Sequence, residues 1–478
     1  MKVFVGIDIG TTNSKALVVT EYGTIAKVLK TGTPKKTLAG VRYFDLAGIE
    51  GLVDDFMQAL SSEYEIKAVS FCSVGESVVP IAGGKALCDP LMWSESCTVP
   101  DAESQATIDR YCQPERTGIA ENSLFALHKM LWMSRNLDLG RVEYWLPISS
   151  YLAYRKTGIP VWDTSQACRS FFFDVHTRSW MGEVLEALGI EGSPGVIRYM
   201  GTEVEDVGGI GYEAGGHDHI AGLYGIYTLN KPYNVLYDSF GSAGNFTVVV
   251  DEMRDLNFDS GDFAGRISCG AAFKDSQYFI MGPSRYLGLF LSRLMALTGN
   301  GDSAADYDAL NRRIERLPRK EPKAYFGLGG DVLMGVGKDS WNFLNVAPDI
   351  HPDELLRSAY VYLNIVSRMM LDKVSSYIAR PFSFFTGGAI TNNDLFMRYR
   401  ASIIGEPVNI LNTDEISALG ACVSAIGASG NSEILEKLRT SLPVERTIYP
   451  EPQLLEGLEK AFECYKQLLL LQELDILR

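Results

Sequence analysis

The sequence predicts an α/β protein built from two similar halves that face each other across a cleft. Three observations carry this reading. The chain opens on a strand, a Gly/Thr turn and a second strand; an apolar-faced helix and a buried strand follow; and the strand, turn, strand pattern returns near residue 234. At 478 residues the chain is also long for one core, since domains usually hold about 100–200 residues.

VFVGIDIG, TTNSKALVVT and YGTIAKV are short apolar runs joined by turns rich in Gly, Thr and Asn, so each reads as a strand. No helix separates these strands, so a hairpin joins them and the sheet is mixed. DLAGIEGLVDDFMQAL gathers its apolar positions on one helical face, and IKAVSFCSV returns to a buried-strand pattern. SLFALHKMLWMSRN and WLPISSYLAYRKTG read as helices, the second stopping near Gly158. DTSQACRSFFFDV reads as a polar turn entering a buried element, in a middle region expected to carry substrate contacts. The Gly-rich VGGIGYEAGGHDHIAGLYG is expected to break the regular periodicity.

NVLYDSFGSAGNFTVVV then repeats the opening, with a β run, an Asp, a Gly plus small hydroxyl, an Asn and a second β run. Asp8-Ile9-Gly10-Thr11 corresponds, with a one-residue offset, to Asp238-Ser239-Phe240-Gly241-Ser242. The repetition predicts an internal duplication that puts two polar hairpins on opposite sides of one nucleotide. PDELLRSAYVYLNIVSRMMLDKVSSYI reads as a helix, FSFFTGGA as a strand, ITNND as a polar turn and EISALGACVSAIGASG as a small-residue helix suited to close backbone packing. EPQLLEGLEKAFECYKQLLLLQEL reads as an amphipathic helix packed as core, with a homodimer contact as the alternative use of its apolar face.

Composition narrows the function. Hydrophobic residues are 46% and charged residues 22%, the balance of folded protein. Lys plus Arg number 44 against 59 Asp plus Glu, a net charge of -15 that opposes nonspecific nucleic-acid binding. It does not exclude ATP, because local amides and a bound cation overcome a repulsive overall field. The eight cysteines form neither a CxxC nor a zinc spacing and read as reduced thiols. The opening residues lack a signal-peptide pattern and no run of 18 apolar residues occurs, so a cytoplasmic protein without a membrane span is expected.

Asp8 at a strand end with Gly10-Thr11-Thr12 in the turn combines a metal-directed carboxylate with close amides and hydroxyls, which suits phosphate and Mg2+; a plain hairpin turn is the alternative. Lys15 is within reach of a phosphate or is a solvated strand residue. The sequence has neither GxxxxGK[ST] in its strand-to-helix setting nor the HRD and DFG pair, so a different phosphate cradle is required. Asp218 in GGHDHIAG is the candidate general base, with a helix cap as the plainer role. His217 and His219 beside it invite a metal-assisted hydrolase reading, but HDH alone supplies no third ligand. Gly387 and Gly388 admit close approach of a ligand or of packed backbone, and Asn392 is in place for a polar nucleotide edge.

Taken together, GIDIGTTNSKA, GGHDHIAG, DSFGSAGN, TGGAITNNDLFMRYRASIIGEPV and DEISALGAC resemble the FGGY carbohydrate kinase family in content and order. The resemblance implies a two-domain ribonuclease H-like fold of the actin, hexokinase and Hsp70 ATPase type with an interdomain cleft. Residues 1–228 would hold the sugar and the base, and 229–478 the nucleotide. It further implies ATP as phosphoryl donor, Mg2+ organised by Asp8, phosphate contacts from Thr11, Thr12, Gly241 and Ser242, a nucleoside-side turn at Gly387-Gly388, and Asp218 as the base that activates a sugar or polyol hydroxyl. Glu76 in SVGES, Trp93 in LMWSE and Asp163 in WDTS are the corresponding sugar-side candidates; a surface carboxylate and a core aromatic are the plainer readings of the first two. Arg400 stands where many relatives carry Gln, GSAGN replaces the commoner GTS, and YFGLGGDVLMG lacks an ERTP-like sequence. A nucleotide-dependent binding or regulatory protein on the same scaffold is the alternative to a kinase.

Overall fold

The computed structural model describes residues 1–478 apart from 96–98, 204, 231–233, 242–243, 253–266, 285–286, 302, 319–320, 328–341, 345, 379–381 and 474–478. Two mixed sheets organise it. The first runs β5-β6-β4-β1-β2-β3, with β1 (Lys2–Ile9), β2 (Asn13–Thr20), β3 (Ile25–Gly32), β4 (Glu65–Ser73), β5 (Glu205–Val207) and β6 (Ile210–His217). The second runs β9-β10-β8-β7-β11-β12-β13, with β7 (Asn234–Phe240), β8 (Gly244–Val250), β9 (Ser268–Ala271), β10 (Tyr278–Ser284), β11 (Phe382–Gly387), β12 (Val408–Leu411) and β13 (Val444–Ile448).

The duplication read from the two hairpins extends through both sheets. β1 pairs antiparallel with β2 and parallel with β4, and β6 is parallel to β4. In the same way β7 pairs antiparallel with β8 and parallel with β11, and β12 is parallel to β11. The inner strands are apolar along their length because both faces are covered, as in β1, where only Lys2 is exposed. β3 lies at the edge, where it alternates half-buried and exposed positions and carries Lys27 and Lys30.

The helices follow the same order in the two halves. α1 (Leu46–Ser61) starts where the Asp45 carboxylate caps the Gly48 amide, and Leu46, Ile49, Val53, Phe56 and Leu60 bury one face at helical spacing. The single-turn α2 (Thr164–Ala167) follows, and α3 (Asp218–Leu229) continues directly from β6. The Gly-rich stretch expected to break the regular periodicity makes the β5–β6 turn at Gly208–Gly209, where both φ are positive, then β6, and leads at Asp218 into α3. In the second half lie α4 (Pro352–Ser375), α5 (Asp394–Ile404) and α6 (Ile416–Ala428).

α3 and α6 cross at the centre of the molecule, where small residues bring the backbones together. A Cβ added to Gly420 would lie 1.7 Å from the Ala221 carbonyl oxygen, a distance no side chain tolerates. α6 also lies on β1, so Leu419, Cys422 and Val423 join the core built by the first sheet. The second core gathers Phe246, Phe290, Tyr360 and Phe396 with Leu458, Ala461 and Tyr465 from the C-terminal segment. Among the described residues no helix is long and apolar enough to cross a membrane.

Glu213 on β6 is enclosed under α6. It is 5% exposed and accepts from Ser424 Oγ at 2.8 Å and from the Gly201 amide at 2.6 Å, and burial pushes its carboxyl from 4.5 up to about 7. The folded state thus prefers the protonated form. Its stabilising contribution is complete below the unfolded value and is lost as pH rises through about 7. Glu213→Gln is expected to be more stable than wild type at pH 8, by about 1–3 kcal/mol, with the difference vanishing near pH 5. Urea unfolding at the two pH values measures this.

Candidate active site

The first hairpin is built for close approach. The Gly10 amide donates to the Asn13 carbonyl at 3.2 Å across the turn, and Thr33 Oγ1 donates to the Gly10 carbonyl at 2.8 Å from behind. Thr11 is half-buried and Thr12 exposed. Asp8, 3% exposed, sits at the strand end beneath it. Burial pushes its carboxyl up to about 6; Lys15 opposes this, and the charges of Asp218 and Glu415 add to it. A buried carboxylate short of positive charge suits a divalent cation, and Mg2+ typically takes one or two carboxylates and completes its shell with water and phosphate.

Lys15, expected at a phosphate, is held between two carboxylates. Its Nζ lies 2.8 Å from Glu415 Oε2 and 3.5 Å from Asp8 Oδ2, while Lys30 bonds the other Glu415 oxygen at 2.9 Å. Burial works against the ammonium, yet Asp8 and Glu415 outweigh it and raise its pKa. Glu415 immediately precedes α6, so this ion cluster joins the two halves of the chain.

The second hairpin lies on β7 and β8. Gly241 is exposed at its tip; Ser242 lies outside the described residues. Gly388 follows β11 with φ 111°, a conformation L side chains rarely adopt, and a Cβ there would lie 2.2 Å from the Phe240 carbonyl oxygen. The double-Gly turn therefore packs on the hairpin itself, and Gly387 is closed by Ile416 of α6, 2.6 Å from where its Cβ would be. Asn392 is exposed and donates to Asp414 Oδ2 at 3.2 Å.

Asp218 opens α3, with His217 as the N-cap. Its side chain is 19% exposed, and its Oδ1 lies 2.9 Å from His217 Nδ1 and accepts from the His219 amide at 2.7 Å. Burial alone would raise this carboxyl; the imidazoles of His219 and His217 and these hydrogen bonds outweigh it and hold it well below the usual carboxylate range. His219 Nδ1 lies 2.6 Å from Ser239 Oγ on β7, so the start of α3 is tied to the strand that carries the second hairpin. Among the described residues no group of three or more His, Cys, Asp or Glu side chains converges as a metal site.

On the sugar side, Glu76 is 8% exposed and has φ 61°. The Ser77 amide donates back to the Gly75 carbonyl at 2.8 Å, a γ-turn strained at its centre, and such strain persists only where surroundings enforce it. Arg169 supplies the enforcement. Its Nε donates to Glu76 Oε1 at 2.7 Å and its guanidinium lies 4.8 Å from the Phe125 ring. Burial opposes ionisation of Glu76, but Arg169, His217 and Lys129 hold its pKa down. Position 75 is Gly because the His217 ring would be 2.6 Å from any Cβ there. Trp93 Nε1 donates to Thr11 Oγ1 at 2.8 Å, linking the sugar side to the phosphate turn. Asp163, a sugar-side candidate, is 1% exposed, and its carboxylate accepts from the Ser165 amide.

Residues 3–200 match the FGGY family of carbohydrate kinases, N-terminal domain. The chain carries an FGGY kinase domain. A glycerol kinase of Enterococcus casseliflavus is 24% identical over 96% of this chain and 95% of its own length. Two solved structures share the fold along nearly the whole chain. A gluconate kinase from Lactobacillus acidophilus superposes with TM-score 0.80 at 18% identity, covering 99% of both chains, and the Plasmodium falciparum glycerol kinase with ADP does so with TM-score 0.77 at 16% identity, covering 98% of both. The fold is thus the two-domain sugar-kinase fold of the actin, hexokinase and Hsp70 ATPase type. At family level the activity is ATP-dependent phosphorylation of a sugar or polyol.

Within this fold Lys15 pairs with Asp8, whose carboxyl also feels the charge of Asp218, Trp93 bonds Thr11 on the same turn, and His217 beside Asp218 acts on Glu76. Two members of the site were not anticipated. Arg169 is a lone charge between Cys168 and Ser170 ahead of three Phe, which was the available signal, whereas Glu415 stands next to Asp414 in a polar turn and had none.

Proposed function

We propose that the chain transfers the γ-phosphoryl group of ATP to a hydroxyl of a sugar or polyol, with Asp218 as general base. The observation that carries this reading is a partly exposed carboxylate, held ionised beside two imidazoles, whose neighbour His219 bonds the strand of the second Gly hairpin and whose neighbour His217 lies against the strained Gly75–Glu76 turn held by Arg169. Asp218 accepts the proton as the substrate oxygen attacks phosphorus. Glu76 and Trp93 orient the substrate, Glu76 by accepting from hydroxyls and Trp93 through its ring face. The carboxylate of Asp8 would hold Mg2+, and Thr11, Thr12, Lys15, Gly241, Ser242, Gly387, Gly388 and Asn392 would hold the nucleotide. When bound, Mg2+ and ATP supply the phosphoryl group and neutralise the charge on it. In this reading 1–228 is the sugar half and 229–478 the nucleotide half.

ADP release with Mg2+ and ATP across a panel of ketoses, aldoses and polyols, with mass detection of the product, tests the proposal. A phosphorylated acceptor is the expected result. ATP binding without any phosphorylated product would overturn it in favour of a nucleotide-dependent binding protein.

A further inference from the structure

β6 does not run straight into the base. From Ala214 to His217 it takes three steps while its partner β4 takes two, from Phe71 to Ser73, so one extra residue bulges out at Gly215–Gly216. A bulge re-aims the side chains that follow it and removes ladder hydrogen bonds, leaving buried backbone groups that need other partners. Here the partners come from α2. Ser165 Oγ accepts from the His217 amide at 2.9 Å and donates to Asp163 Oδ1, which also accepts from the Ser165 amide at 2.7 Å. Gln166 Nε2 lies 3.3 Å from the Gly216 carbonyl and at the same distance from the carbonyls of Ser73 and Val74.

The fit on the bulge is tight. Gly216 has φ 88°, and a Cβ there would lie 2.4 Å from Asp163 Oδ1 and 2.6 Å from Ser165 Oγ. Asp163, Ser165 and Gln166 are all buried, so water is not an alternative partner for these groups. The same three residues reach two loops. Gly216–His217 leads into Asp218, and Ser73–Val74 leads into the Gly75–Glu76 turn.

We propose that Asp163, Ser165 and Gln166 are positioning residues that replace the hydrogen bonds lost at the bulge and set Asp218 and Glu76 in one frame. This rests on the kinase reading above. These residues act through others: Ser165 and Asp163 through His217 on Asp218, and Gln166 also through Ser73–Val74 on the turn that carries Glu76. Burial raises the Asp163 carboxyl to about 6, which agrees with a side chain valued for its acceptor oxygen more than for its charge.

The test is steady-state kinetics of the full chain, with melting curves to establish folding. Ser165→Ala is expected to lower kcat about ten- to a hundred-fold, the cost of a misplaced reacting group, with KM for ATP within about two-fold of wild type. Asp163→Asn keeps the acceptor oxygen and is expected to retain most of kcat, whereas Asp163→Ala loses it. In an Asp218→Ala background, Ser165→Ala is expected to have no further effect on the residual rate. An equal loss in both backgrounds, or no loss in the wild-type background, overturns the proposal while leaving the kinase reading intact. A folded wild-type protein inactive on every acceptor overturns both.

Discussion

Asp218→Ala is expected to reduce kcat by about 10²–10⁴-fold while leaving KM for ATP nearly unchanged. The split follows from the geometry. Among the described residues proposed for the nucleotide, on the two Gly hairpins and the double-Gly turn, none bonds the Asp218 carboxylate, whose partners are His217 and the His219 amide. Asp218→Asn keeps the shape and the acceptor oxygen but cannot take the proton, so it should lose nearly as much. A comparable loss in both variants points to proton transfer; an active Asp218→Asn would reduce the residue to orienting the hydroxyl. The imidazoles sharpen the test. They hold the carboxyl well below its ordinary range, so the wild-type acid limb should not fall at the usual carboxylate pKa, and a kcat/KM profile that did so would speak against Asp218 as the base.

The hairpins and the duplication were legible because both depend on local chemistry. Gly and Thr in a turn between apolar runs announce a strand, a reversal and a strand, and the pattern occurs twice. α6 was legible as a small-residue helix for the same reason, although only the fold reveals that Gly420 rests on the Ala221 carbonyl of α3. Long-range relations were not legible. Arg169 reaches Glu76 from a distant segment, Glu415 reaches Lys15 across nearly the whole chain, and no periodicity encodes either contact. The Gly-rich stretch before Asp218 was legible as a break in periodicity, but its glycines do not say which of them turn the chain and which admit a bulge. Asp163 was placed among the sugar-side candidates by its motif alone, and its bond to Ser165 beside the Gly216 bulge was not legible. Lys15 combined both difficulties: its place beyond the phosphate turn was readable, its two carboxylate partners were not.

Arg400→Ala is expected to destabilise the protein by about 3–5 kcal/mol, a large part of the stability of an ordinary domain. Arg400 and Asp238 are each 0% exposed, and Arg400 Nε donates to Asp238 Oδ2 at 2.7 Å, with Nη2 on the same oxygen. Nη1 donates to Asn364 Oδ1 at 2.9 Å and Ser367 Oγ at 3.2 Å, and the guanidinium lies 4.9 Å from the Phe240 ring. Burial pushes the Asp238 carboxyl up and the Arg400 group down, but their direct contact opposes both shifts and a guanidinium keeps its proton, so the pair is ionised. Removing Arg400 alone leaves a carboxylate in the core. Gln cannot neutralise Asp238, so Arg400→Gln alone should also destabilise. Arg400→Gln with Asp238→Asn removes both charges and should recover more than half the loss, since a buried pair contributes little net stability over a neutral replacement. The same variants probe the hairpin: Asp238 adjoins Ser239, the partner of His219, and Phe240 underlies both Arg400 and Gly388. The single variants should therefore raise KM for ATP along with the loss of stability, and the double variant should restore both together. Denaturant midpoints and ATP titrations of the three proteins decide the matter. An Arg400→Ala cost below about 1 kcal/mol, the scale of an exposed pair, would mean that the core around Asp238 admits water.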